Sequence, residues 1–260
     1  MARGYNVNAN GIRQHLLHYE GPGPQVLLIP GITSPAITWG FVAERLAARF
    51  DVHVLDVRGR GLSQGGALDF SLDAMAEDAV RVAEAASLDR PILLGHSMGA
   101  RTGIRAARMC PSGFSGLVLV DPPVSGPGRR GYPASWSWYE DSILLAQRGC
   151  SPEEMKHFCP SWSEEQLALR AEWLHTCQLD AIRTAFDGFH SDDIHADLPA
   201  LRLPMRLVVA GGAAVIEPAD VEEIKRLVPA VEVRTVERAG HMIPWDDLEG
   251  FLAAVMDFAA

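Results

Sequence analysis

Residues 91–103 read PILLGHSMGARTG, and the reading of this stretch decides the fold. Ile92, Leu93 and Leu94 form a short apolar run of strand character. It leads into Gly95-His96-Ser97-Met98-Gly99, a G-x-S-x-G pattern, and then into a segment with helical spacing. A chain that passes from strand to helix within five residues turns too tightly for side chains on both flanks, and glycine on each side removes that clash. The turn lifts the serine above the sheet edge, at a helix N-terminus whose amides favour developing negative charge. Gly and Ser are common, so the pattern alone is weak. Its place between strand and helix makes Ser97 a nucleophile candidate and not a plain turn residue.

Outward from this point the same alternation repeats. QVLLIPG (25–31), DVHVLDVRGRG (51–61), GLVLVD (116–121), MRLVVAGG (205–212) and VEVRTVE (231–237) read as strands. Helical spacing covers 38–50, 71–87, 98–110, 218–228 and the stretch from Asp246 onward, and GIRQHLLHYEG (11–21) reads as an edge strand. Apolar strands separated by helices predict an α/β fold, with a mostly parallel central sheet covered on both faces. Residues 124–200 break the rhythm with helical stretches, Pro and Gly at their entry, and Trp136, Trp138, Trp162 and Trp173. They read as a helical cap inserted after the strand that ends at Asp121, which leaves 1–123 and 201–260 as the core domain.

Composition narrows the chemistry. A formal charge of −10 argues against nucleic acid, whose binding rests on Lys and Arg neutralising phosphates. It also means that an anionic substrate needs local Arg, Lys or His residues to hold it. No apolar run approaches the roughly 20 residues that span a bilayer, so no membrane partner is expected. The first 21 residues lack an apolar signal-peptide core, and Cys110, Cys150, Cys159 and Cys177 show no metal-binding or paired spacing. A cytoplasmic protein with reduced thiols is expected, with no metal and no cofactor. The sequence leaves the oligomeric state open.

Serine attacks well only when a base takes its proton. Of nine histidines, His241 alone lies just after the last strand and before a closing helix, where it could meet Ser97. His96 is read as shaping the turn. An oxyanion hole needs two amide donors: the N–H of Met98, next after the nucleophile, and that of Ile32, in the loop after the first buried strand.

Together LLIPG, DVRGRGLS, LGHSMG, the strand before Asp121 and AGHMIPWDD resemble the α/β-hydrolase superfamily across nearly the whole chain. The resemblance implies an acyl-enzyme on Ser97 that water, the second nucleophile, then hydrolyses. It also implies a triad acid, usually placed shortly after the penultimate strand. Here that position is Ala214, which leaves Asp121 as the expected acid and Glu217 as the alternative. PGITSPAITWGFVAERL, DPPVSGPGRR and RAEWLHTC are further similar to family members that release formate from an N-formyl amide in bacterial nicotinate breakdown. That likeness implies a small anionic amide as substrate, in a pocket that Trp and Ile side chains would narrow. Arg101 lies nearest the site as a partner for the substrate's acid end. Arg105 and Arg108 follow it along the same helix, Arg129, Arg130, Arg170 and Arg183 belong to the cap, and Ser34, Trp173 and His175 are weaker contacts. A carboxylesterase or lactonase with the same triad, or a ligand receptor on the same scaffold, stays open.

Overall fold

A computed structural model describes residues 2–259. In chain order the core begins with β1 (Arg3–Ala9), β2 (Ile12–Tyr19), β3 (Gln25–Ile29), α1 (Gly40–Leu46), β4 (Asp51–Leu55), α2 (Leu72–Ala85), β5 (Ile92–His96), α3 (Met98–Met109) and β6 (Gly116–Val120). Next come α4 (Trp136–Gln147), α5 (Pro152–Met155), α6 (Glu164–Trp173) and α7 (Leu179–Ser191). The core then resumes with β7 (Met205–Ala210), α8 (Pro218–Leu227), β8 (Glu232–Val236), α9 (Ile243–Asp246) and α10 (Leu248–Val255).

The strands form one sheet in the order β1-β2-β4-β3-β5-β6-β7-β8. It is parallel from β4 to β8, with β2 antiparallel to both β1 and β4. Every residue of β5, β6 and β7 is buried, which is why these strands read as unbroken apolar runs. Alternate residues feed two layers. Leu93, Leu117 and Leu119 pack with α2 and α3, whereas Ile92, Leu94, Val118 and Val120 pack with α1 and α10. Burying each such side chain stabilises the fold by about 1.5–3 kcal/mol, so these strands are rigid footings for whatever sits at their ends.

The edge strand differs from expectation. Residues 12–19 are paired on both sides, and the edge is β1. Tyr5, Val7 and Ala9 alternate with polar residues there. The Asn10-Gly11 turn has φ of 50° and 75°, the left-handed pair that a two-residue hairpin favours. Two helices are also shorter than their periodicity suggests. A 3-10 turn (Ala36–Trp39) precedes α1, and Asp247 separates α9 from α10, where its side chain caps α10 by accepting from the Gly250 N–H. Among the described residues no helix is long and apolar enough to cross a membrane.

Candidate active site

The turn after β5 holds Ser97 at φ 53°, ψ −117°, a left-handed conformation that a non-glycine residue adopts only when its surroundings impose it. The imposition comes from close backbone packing. A Cβ on Gly95 would stand 2.3 Å from the Gly99 carbonyl oxygen, and one on Gly99 would stand 1.9 Å from that of Ile29. The Ser97 N–H donates to the Val120 carbonyl at 2.8 Å, which fastens the nucleophile to the end of β6.

Asp121 follows directly on β6, fully buried and also left-handed at φ 45°. A buried carboxylate is costly unless its oxygens are satisfied, and here both are. Oδ1 accepts from the Ala210 N–H at 3.2 Å and Oδ2 accepts from His241 Nδ1 at 2.6 Å. On the far side of the ring, the Ser97 hydroxyl donates to His241 Nε2 at 2.9 Å. The structure thus brings Ser97, His241 and Asp121 into one hydrogen-bonded line. Glu217 is exposed at the N-cap of α8, where it pairs with Arg130, and Ala214 lies at the cavity wall.

His96 is buried beneath this line, and its Nε2–H donates to the His241 carbonyl at 2.9 Å. Burial, then the neighbouring His241, pushes the His96 pKa down to about 3, so the ring stays neutral and acts as a spacer.

Opposite the triad, among the described residues, neither the Ile32 nor the Met98 N–H is used in a hydrogen bond. Arg60, from the R-G-x-G stretch, holds both residues. Its Nε donates to the Ile32 carbonyl at 3.1 Å and its Nη2 lies 3.4 Å from the Met98 sulfur. Asp56 fixes the same loop by accepting from the Ala36 and Leu62 N–H groups. Both amides are therefore left with free donors, one on the residue next to Ser97 and one in the cavity wall.

A cavity of about 510 Å³ opens above Ser97 and His241. Ile32, Thr33 and Ser34 wall one side, and Tyr132, Trp138, Tyr139, Phe158, Trp162 and Arg170 come from the inserted segment. That volume is ordinary for a small-molecule site, so size alone does not restrict the pocket to a formyl group. Ser34 lies where it was expected. Three other expected contacts do not. Arg101 is buried outside the cavity and donates to the carbonyls of Pro123, Ser125, Gly188 and Asp192, so it fastens the inserted segment to α3. His175 is exposed, with Nδ1 donating to the Glu172 carbonyl, and Trp173 is partly exposed away from the cavity.

Arg170 lines the cavity instead. Among the described residues it is the single arginine or lysine that lines the cavity. It is 4% exposed, its guanidinium lies over Trp138 and Trp162, and its Nε and Nη2 have no hydrogen-bond partner. Nη1 makes a long 3.5 Å contact to the Thr33 carbonyl. A signal for it exists in the sequence: Leu167, Arg170, Ala171 and Leu174 form one buried stripe at helical spacing, and an arginine inside such a stripe needs a partner.

Comparison with known proteins agrees with this architecture. A family model described as "Alpha/beta hydrolase family" matches residues 26–254. The chain is 61% identical to an N-formylmaleamate deformylase of Pseudomonas putida over 98% of this chain and 96% of that protein. A crystal structure of the N-formylmaleamic acid deformylase of Pseudomonas putida S16 superposes with a TM-score of 0.96 at 66% identity, covering 97% of this chain and all of that one. The crystal structure of E-2-(acetamidomethylene)succinate hydrolase superposes at 0.81 with 21% identity and 99% coverage of both chains, a likeness of fold alone.

Proposed function

This chain belongs to the alpha/beta hydrolase family, and from that premise we propose that it hydrolyses the N-formyl amide of N-formylmaleamate to maleamate and formate. Ser97 Oγ attacks the formyl carbon while His241 Nε2 takes the hydroxyl proton. Asp121 holds the ring in its Nδ1–H tautomer and stabilises the imidazolium. The formyl oxygen takes up charge against the Ile32 and Met98 amides. Collapse breaks the C–N bond, the electron pair leaves with nitrogen, and His241 returns the proton to it. Water, deprotonated by His241, then attacks formyl-Ser97 and releases formate.

One observation supports this substrate beyond the shared fold: a buried guanidinium with two unused N–H groups lies in the same cavity as the triad. A carboxylate at the far end of the substrate supplies the acceptors that Arg170 lacks, through a charge-assisted pair with a buried guanidinium. Residues 124–200 act in this reading as a cap, and 1–123 with 201–260 as the core. Four free cysteines, two of them buried, are in keeping with work in the reducing cytoplasm.

The test is formate detection with purified protein and N-formylmaleamate, beside short-chain esters. Formate release at a kcat/KM well above that for the esters is expected. Rapid ester turnover with no formate would transfer the chain to the carboxylesterases.

A further inference from the structure

The triad and its two amides account for the attacking oxygen, the formyl oxygen and the proton on nitrogen. They leave one developing charge untouched. The bond to be broken joins formyl to a nitrogen that also carries a second carbonyl. When the C–N bond breaks, its electron pair spreads into that carbonyl, and the departing group is an imidate with much of its charge on oxygen. A donor aimed at this oxygen would lower the barrier to departure.

Tyr132 is placed for that role. It stands between β6 and α4, lines the cavity, and packs its ring against Phe189 at 4.9 Å and near His241 at 6.1 Å between centroids. It shares the cavity wall with Ser97. Its oxygen accepts from the Tyr139 hydroxyl at 3.2 Å, so its own proton is free to point elsewhere. Burial raises the Tyr132 pKa above the ordinary phenol value; the Tyr139 hydrogen bond opposes this and the Asp121 carboxylate adds to it. The group therefore stays a neutral donor. The neighbouring Tyr139 feels the Arg170 charge, and Arg170 sits over Trp138 and Trp162. Ser97, Tyr132, Tyr139 and Arg170 all line this one cavity, and a hydrogen bond joins the two tyrosines. A substrate with its formyl carbon at Ser97 and its carboxylate at Arg170 has both tyrosines in the wall beside its middle carbonyl.

We infer that the Tyr132 hydroxyl donates a hydrogen bond to the carbonyl oxygen on the leaving side of the substrate and stabilises the imidate that departs. Tyr139 orients it by occupying its acceptor side. No atom is transferred through Tyr132: the serine proton still travels by way of His241 to the leaving nitrogen. The inference rests on the functional reading above and adds a reason for preferring an N-formyl imide over a simple amide, whose leaving nitrogen has no such oxygen.

Tyr132→Phe separates this role from a structural one. With N-formylmaleamate, kcat should fall about 10²-fold, the usual loss for one such donor, with KM within about threefold of the original. With 4-nitrophenyl formate, whose phenolate leaves without help, turnover should stay within about threefold. Tyr139→Phe, which keeps the donor but frees its orientation, should show the same selectivity with a smaller loss. Equal losses on both substrates, or no loss on the imide, would overturn the inference and leave the deformylase reading standing. A parent protein that releases no formate from N-formylmaleamate sinks that reading, and this inference with it.

Discussion

The sheet edge and the inserted segment each build half of the cavity, and they hold their residues by different means. At the sheet edge, backbone hydrogen bonds set the positions. His96 pairs with Val120 in the β5–β6 register, so Ser97 and Asp121, the next residue on each strand, emerge side by side. Adjacent strands are about 4.8 Å apart, which is the reach of an imidazole bridging two side chains. In the inserted segment, side chains set the positions: Arg170 rests on two indoles, and Tyr132 on Phe189 and Tyr139. On the reading proposed above, the first region supplies the triad and the second meets the rest of the substrate, its leaving side included.

The division predicts two classes of variant. Substitution at the sheet edge should slow every substrate alike. Ser97→Ala should lower kcat by about 10⁶, since the nucleophile, base and acid act as a unit. Asp121→Asn should lower it by about 10⁴, because the ring then loses its correct tautomer. Glu217→Gln should leave it near normal, and the opposite ranking of these two carboxylates would move the acid to α8. Both losses should be the same for an anionic amide and a neutral ester. A substrate-dependent loss would break the comparison.

Substitution in the inserted segment should discriminate. Arg170→Met keeps the apolar stem between Trp138 and Trp162 but removes the charge. For N-formylmaleamate kcat/KM should fall by about 10²–10³, the range for losing one side of a buried charge pair, mostly through KM. An uncharged formyl ester should be unaffected or improved. Equal losses on both would make Arg170 a packing residue like Arg101.

The two regions were also unequally legible. Ser97 and Asp121 show in the sequence because each directly follows a strand, His241 because it lies between the last strand and the closing helices, and the glycines beside Ser97 announce a turn that few other residues could make. Asp121 could be singled out because Ala214 left the usual position of the acid empty. In the inserted segment the chemistry depends on how α4 and α6 sit over the sheet, which no local pattern reports. Trp173 and His175 lie within five residues of Arg170, yet off the stripe that Leu167, Ala171 and Leu174 bury. Arg101 looked right by distance along α3, but its partners are carbonyls 22 to 91 residues away. The missed edge strand is different in kind, since both its alternation and its Asn-Gly turn are local signals.

A smaller effect tests the footing beneath both regions. The His96 ring is neutral in the folded protein down to a pKa of about 3, against an ordinary value of 6.5, because burial and the adjacent His241 disfavour its charge. Once unfolded, it binds a proton as the pH drops below 6.5. Over that window the unfolded state holds more protons than the folded one, so stability is full above pH 6.5 and falls as the pH drops, by at most about 1.4 kcal/mol per pH unit. His96→Gln, which keeps a donor toward the His241 carbonyl but cannot titrate, should be less stable at pH 7.5. It should nonetheless lose less on going from pH 6.5 to 4.5 than the parent, as measured by thermal melting. His53 and His195, whose pKa values burial also lowers, remain in both proteins and cancel in the difference. Parallel melting curves across that window would show that the ring beneath the triad titrates freely in the folded state, and that the sheet edge is looser there than its hydrogen bonds imply.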